Sequence, residues 1–280
     1  MVVTANLWTK SNGGKLKSIM TKCYNLRRTE QVKDPETLTF IDGVLNIDTQ
    51  TQSGLAKARA ANIVGTGLVD VFATGYFLEG IMLFKPHHRG RAFTILNHPV
   101  LRVQNLFLSR NGHGSDSEHL SLAEYLESPV HIDNWVVRSL TNDKSGELTE
   151  DHFLIAKGIL SRKFLIGIAE YFEETLRRLE TYYGLENQDD GGECVRRNSK
   201  QLEGTLRSST FARGSEEWNL IAKKEEFDVM LYYYALELFN KQATTIFKRP
   251  YVGKDGKEID FAEIKRLEML KNKMMEMVGF

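Results

Sequence analysis

The sequence predicts one α/β domain built on a mostly parallel sheet, and three observations lead there. Leu68–Gly75, Ala92–Leu96 and Phe164–Ile168 are short, almost wholly apolar, β-prone runs, the pattern of strands buried on both faces. Stretches with helical spacing lie between and after them, including 170–183 and 229–247, and alternating strand and helix is the order that builds a parallel sheet. At 280 residues the chain holds one large α/β domain or two small ones. With no internal repeat or low-complexity tract to divide it, the single-domain reading over 1–280 is preferred.

Composition narrows the function classes. Lys+Arg and Asp+Glu both number 37, so the formal net charge is zero and the basic excess of a nucleic-acid binder is absent. No apolar run approaches the length of a membrane span, and the opening Met1–Trp8 lacks the basic start and apolar core of a signal peptide. The two cysteines, Cys23 and Cys194, make neither a disulfide framework nor a metal site. They could pair in an oxidising compartment, and their spacing does not decide it. His87-His88 invites a metal reading, but no acid or histidine follows at ligand spacing, so no metal is expected.

Taken in order, 2–7 reads as a strand, and Trp8-Thr9-Lys10-Ser11-Asn12-Gly13-Gly14-Lys15 opens a helix that runs to about Leu26. Strand, glycine turn, helix is the layout of a phosphate-cradling loop, because small residues let backbone N–H groups close around an anion. The glycines are out of register for a Walker A motif. A polar connection follows from Arg27 to Pro35, then β segments at 37–41 and 44–48, a helix over 51–62, and the Leu68–Gly75 strand. Phe84 to Arg110 is the stretch richest in chemistry. Basic residues lead into the Ala92–Leu96 strand, Asn97-His98-Pro99 turns the chain, and Val100–Phe107 has helical spacing, with Pro99 suited to a first turn. A helix N-terminus with Arg102 one turn in is an anion-site geometry. It is equally the geometry of many strand–turn–helix units that bind nothing.

Beyond it lie an exposed loop at 111–119, a short helix at 120–127 and the Asp133-Asn134-Trp135-Val136-Val137-Arg138 block, whose Trp135 is expected in the core. Arg138 could reach a ligand or pair with an internal acid. A helix from Glu150 to about Ser161 has Thr149 as N-cap. The helix over 170–183 is expected to carry Glu173/Arg177 and Glu174/Arg178 on its wet side. Residues 186–213 read as a long mobile loop. A short helix at 217–221, a long one over 229–247 with Tyr232–Tyr234 as packing residues, and an amphipathic helix at 258–280 complete the chain.

These blocks resemble the sulfotransferases that use 3′-phosphoadenosine 5′-phosphosulfate (PAPS), in the branch with carbohydrate and algal enzymes. HRGRAFTILNHPVLRVQNLF is similar to that family's 3′-phosphate segment: Pro99 and Arg102 match, while Asn97 stands where the family has Arg and Asn105 where it has Ser. TKSNGGKLKSIM is similar to its 5′-phosphosulfate loop, with Lys10, Gly13 and Gly14 in place and Lys15 where a Thr is usual. Similar scaffold blocks run from about Thr9 to Gln242. The resemblance implies a three-layer α/β/α, P-loop-like sulfotransferase fold. It implies PAPS as donor, transfer of a sulfuryl group to a hydroxyl or amine, and a small-molecule or glycan acceptor. Lys10, Ser11, Gly13, Gly14 and Lys15 are then expected at the 5′-phosphate, with Lys10 stabilising the leaving group. Asn97, Arg102 and Asn105 are expected at the 3′-phosphate, and Arg196 and Arg197 on a loop closing over the donor. The family's catalytic base, a His after a Gly, corresponds to Tyr76. A free tyrosine titrates near 10 and is a weak base at neutral pH, so Glu79 is the acidic alternative.

Carbohydrate enzymes of this kind are commonly Golgi proteins behind an N-terminal anchor, which the expectation here replaces by a soluble chain or a start cut close to the phosphate loop. The rival readings are a sulfotransferase-like binding protein without catalysis, and an unrelated P-loop hydrolase or kinase with Asp70 as metal ligand.

Overall fold

The computed structural model describes residues 2–5, 19, 22–24, 26–30, 40–41, 44–88, 90–112, 120–185, 191–207 and 210–248. The phosphate-loop candidates Lys10, Ser11, Gly13, Gly14 and Lys15, and the expected helix at 258–280, lie outside them.

Among the described residues seven strands form one sheet: β1 (Val2–Ala5), β2 (Arg28–Glu30), β3 (Phe40–Ile41), β4 (Val44–Asn46), β5 (Val71–Thr74), β6 (Arg91–Leu96) and β7 (Phe164–Ile168), in the order β3-β4-β2-β5-β1-β6-β7. All neighbours are parallel except β3 and β4. The helices are α1 (Gln52–Ala60), α2 (Ile63–Thr66), α3 (Phe77–Ile81), α4 (Pro99–Gly112), α5 (Leu122–Glu127), α6 (Trp135–Thr141), α7 (Glu150–Lys163), α8 (Phe172–Tyr183), α9 (Gly191–Arg207), α10 (Glu216–Lys224) and α11 (Glu226–Thr245). The chain is thus mixed α/β, with a largely parallel sheet.

The continuously apolar strands are buried on both faces, as their composition requires. Phe164, Ile166 and Ile168 of β7 join Leu160, Leu140, Ala235 and Phe239 in one core, while Leu165 joins Phe93, Ile95, Phe172 and Leu176 in another. α8 lies so close to β7 that a Cβ on Gly167 would stand 2.4 Å from Thr175 Cγ2, which is why that strand carries a glycine. β7 ends the sheet order, and side chains cover its free edge. Gln242 Oε1 accepts from the Ile166 N–H (2.9 Å), its Nε2 donates to the Phe164 carbonyl (2.9 Å), and Thr175 Oγ1 accepts from the Ile168 N–H (2.9 Å).

Three expectations change. Arg28–Glu30, expected as part of a polar connection, is a strand whose Thr29 is completely buried. Residues 191–207, expected within a mobile loop, form helix α9. Its polar, glycine-containing sequence hides the one face that Val195 and Ser199 bury. On α8, Glu174 and Arg178 lie inside rather than on the wet side. Arg178 Nε donates to Glu174 Oε1 (2.7 Å), its Nη1 to the Phe239 carbonyl (2.5 Å), and its guanidinium lies 3.6 Å over the Phe239 ring. A buried Arg with this many partners is a packing element, because an unpaired one would be costly.

Cys23 and Cys194 form a disulfide across 171 residues of chain, anchoring α9 to the segment that leads into β2. Such a long closed loop is expected to contribute about 2–5 kcal/mol. Reduction, or joint Cys23→Ser and Cys194→Ser substitution, should lower the urea-unfolding free energy by that amount. A midpoint unmoved by reductant would contradict the bridge.

Candidate functional site at the carboxyl edge of the sheet

Open α/β sheets bind ligands beyond the carboxyl ends of their strands, where strand order reverses. Here β1 lies between β5 and β6, so the reversal falls at Ala5, and the phosphate-loop candidates follow that residue in the sequence. Two groups of side chains flank this point, one beyond β6 and β7 and one beyond β5.

Beyond β6, Asn97 and His98 are buried and α4 begins at Pro99. The arginine that the resemblance assigns to a 3′-phosphate is turned inward. Arg102 is 6 % exposed, and its Nη2 donates to Glu225 Oε2 (2.5 Å) and Asp228 Oδ2 (3.2 Å). Helical spacing placed Arg102 on the first turn correctly, but the acids that claim it lie more than 120 residues downstream. The same carboxylates organise their surroundings. Asp228 accepts from the Val136 and Val137 N–H groups (both 2.9 Å) at the start of α6, where the helix dipole favours an anion. Glu225 accepts from the Asn134 N–H (3.1 Å), and His131 Nε2 lies 3.1 Å from its other oxygen. Burial and the adjacent Glu225 carboxylate push the Asp228 carboxyl up to about 7. Asn105 is half-exposed one turn further along α4.

Beside this turn is a cavity of about 590 Å³ lined by Leu101, Glu170, Thr210, Phe211, Ala212, Arg213 and Trp218. Its volume is that of a small-molecule site. The 210–213 wall is held in place, since the buried Gln104 Oε1 accepts from the Thr210 N–H (3.1 Å) and the Phe211 N–H (3.0 Å). Arg213 is exposed, and its guanidinium lies 5.7 Å over Trp218; among the described residues it makes no salt bridge. Burial raises the pKa of Glu170, just beyond β7, opposed by the nearby Tyr232 hydroxyl and His98 N–H. The His98 ring, 5.0 Å from Trp218, is held neutral by burial, its pKa pushed down to about 3. Sequence reading passed over Arg213 and Glu170 because one sat in an apparent loop and the other in an apparent solvated helix. The signal was position: Glu170 follows a strand end, where Arg102 looked equally good.

Beyond β5, Tyr76 caps α3 and Glu79 lies on its first turn. Gln52 Nε2 donates to Glu79 Oε1 (3.2 Å), while Glu79 Oε2 is buried with no hydrogen-bond partner among the described residues. Lys144, which sequence reading did not single out, stands over two rings, 4.9 Å from the centre of Tyr76 and 5.4 Å from that of Trp135. Burial lowers its pKa, opposed by the Glu79 charge. Arg138 resolves to an internal role: it pairs with Asp133 (3.1 Å) and donates to the Gly146 carbonyl (3.0 Å). The remaining candidates stand apart. Arg196 and Arg197 are exposed on α9, with Arg196 3.6 Å from Glu180. Asp70, the acid of the P-loop hydrolase reading, is paired with Arg27 (2.7 Å).

Removing Arg102 would leave Glu225 and Asp228 buried without their cation, so Arg102→Met should cost about 3–5 kcal/mol in urea unfolding. The raised Asp228 pKa also has a pH signature. The native state keeps its proton up to about 7 while the unfolded chain releases it near the ordinary 3.8. The native state therefore binds more protons between these values, and stability falls as pH rises through the window. Asp228→Asn should flatten that part of the stability–pH curve, measured by urea midpoints.

Compared with known proteins, the chain matches no protein-family model, and no curated protein is found to be significantly similar to it.

Proposed function

We propose that the chain is a PAPS-dependent sulfotransferase of three-layer, P-loop-like α/β/α architecture, acting on a hydroxyl or amine of a carbohydrate. The observation that carries this reading is the cavity beside the first turn of α4. It joins an exposed cation without an ion-pair partner among the described residues (Arg213), two aromatic residues (Trp218 and Phe211) and a carboxyl (Glu170) next to the segment that resembles a 3′-phosphate site. This set suits a phosphorylated nucleoside: aromatic faces stack on a base, a carboxyl accepts from an exocyclic amine, and a guanidinium forks onto a phosphate. In this reading Arg213 takes the phosphate role that the sequence assigned to Arg102, assisted by Asn97 and Asn105, while Lys10 and the Gly13 and Gly14 amides serve the 5′ end.

When bound, PAPS supplies the activated sulfuryl group, and transfer of such groups depends on positioning and cationic stabilisation more than on covalent chemistry. Of the two base candidates Glu79 is favoured over Tyr76. A free carboxylate is already ionised at neutral pH and a free phenol is not, so of the two Glu79 is the better proton acceptor. The Cys23–Cys194 disulfide suits an oxidising compartment such as a secretory lumen.

The alternative of a sulfotransferase-like binding protein without catalysis draws on one observation: with Arg102 turned inward, the family's 3′-phosphate motif is left with Asn97 and Asn105, which stand in place of its Arg and Ser.

Calorimetry with the desulfated product, 3′-phosphoadenosine 5′-phosphate, against ATP and 5′-AMP tests the donor site. Binding that requires the 3′-phosphate is expected, and Arg213→Ala should weaken it about ten- to a hundredfold. No binding at millimolar nucleotide would sink the proposal. Transfer from radiolabelled PAPS to a mixed glycan pool separates the enzyme from the inert binder.

A further inference from the structure

We infer that the side chains beyond β5 form the acceptor subsite, and that it takes a pyranose carrying an acidic substituent, a carboxylate or a sulfate. The inference rests on the sulfotransferase reading for its place in the reaction, but its geometry is independent of the donor cavity. The sheet order β5-β1-β6-β7 puts the two groups on opposite sides of β1. A donor held over β6 and β7 and an acceptor held over β5 would therefore meet above the end of β1.

The residue types are those that recognise an acidic sugar. Trp135 and Tyr76 offer two partly exposed aromatic faces, on which the C–H face of a pyranose packs as other apolar surface does. Gln52 and Glu79 supply an amide and a carboxylate for hydroxyl groups. Lys144 supplies the charge. Its ammonium stands over both rings and makes no salt bridge among the described residues, the Glu79 charge being near enough to raise its pKa. A cation resting on ring faces at an exposed site is only weakly held, so an acidic group can draw it off and leave the faces to the sugar.

The lysine is held ready by its backbone. It sits in the 142–146 turn after α6, which Arg138 clasps through the Gly146 carbonyl (3.0 Å), with Asp143 Oδ1 accepting from the Ser145 N–H (3.2 Å) and Asp143 Oδ2 3.1 Å from His152 Nε2. The Asp133-to-Arg138 block thereby acquires a role. Trp135 is one wall of the subsite, and Arg138 is a positioning residue for Lys144. Trp135 is in turn set against the strand end, where a Cβ on Gly75 would come 3.4 Å from its ring.

In the reaction this subsite would serve, an acceptor oxygen forms the new bond to sulfur as the sulfur–oxygen bond to the 5′-phosphate breaks. Glu79 takes the acceptor proton, and the electron pair leaves on the nucleotide phosphate.

The test uses the full chain and two probes, a glucuronate-containing tetrasaccharide and its carboxyl-reduced, neutral counterpart. Each is titrated by calorimetry with and without 3′-phosphoadenosine 5′-phosphate. Wild type is expected to bind the acidic probe about tenfold more tightly than the neutral one, the effect of one charge-assisted contact. Lys144→Ala should abolish that preference while leaving nucleotide binding and the unfolding midpoint unchanged, and Lys144→Arg should keep it. Equal binding of the two probes by wild type, or an undiminished preference in Lys144→Ala, would overturn the inference. Failure of the nucleotide to bind while the acidic preference persists would overturn the sulfotransferase reading and leave the subsite standing.

Discussion

The interaction on which the most structure depends is the buried pairing of Arg102 with Glu225 and Asp228. Arg102 brings the first turn of α4, Glu225 the elbow between α10 and α11, and Asp228 the first turn of α11. Backbone N–H groups of Asn134, Val136 and Val137 fix the start of α6 to the same carboxylates. Three segments distant in sequence thus share one polar knot whose desolvation is offset by charge and by backbone donors. Such a knot tolerates the loss of no single partner, because the others would remain buried and uncompensated.

Both candidate subsites hang from it. Toward β6 and β7 the knot sets α10, and with it Trp218, against α4, forming the wall of the Glu170–Arg213 cavity. Toward β5 it sets α6, and with it Trp135 and the Arg138 clasp on the Lys144 turn. An arginine that looked like a ligand contact serves instead as the anchor that places other residues where a ligand can reach them. Ligand contact and anchoring call for opposite environments: the first needs an exposed guanidinium with donors to spare, the second a buried one with its donors committed. Arg213 meets the first description and Arg102 the second.

Much of the scaffold was legible in the sequence. β7 lies where its apolar run predicted, and β5 and β6 within a few residues of theirs, because a strand buried on both faces must be apolar throughout. Helices α7 and α11 were readable from spacing and from the acidic residues at their starts. Illegible were elements whose stability comes from elsewhere. β2 is polar throughout, with Thr29 buried, and the strands on either side of it supply its partners. α9 is polar and contains glycines, and it is held by Val195, Ser199 and the bridge to Cys23. α6 is capped by an aspartate that lies more than 90 residues downstream.

The sequence by itself therefore determined the class of the fold and the order along the chain of its main strands and helices, since each follows from periodicity and local chemistry. Tertiary structure alone decided which arginine faces inward, that the Glu225 and Asp228 carboxyls are buried beside it, that the two cysteines meet, and that Lys144 comes to stand over Tyr76 and Trp135. Those facts depend on contacts between residues far apart in the chain. A charged side chain carries no local mark of whether its partner will be water, a ligand or an acid folded back from more than a hundred residues away.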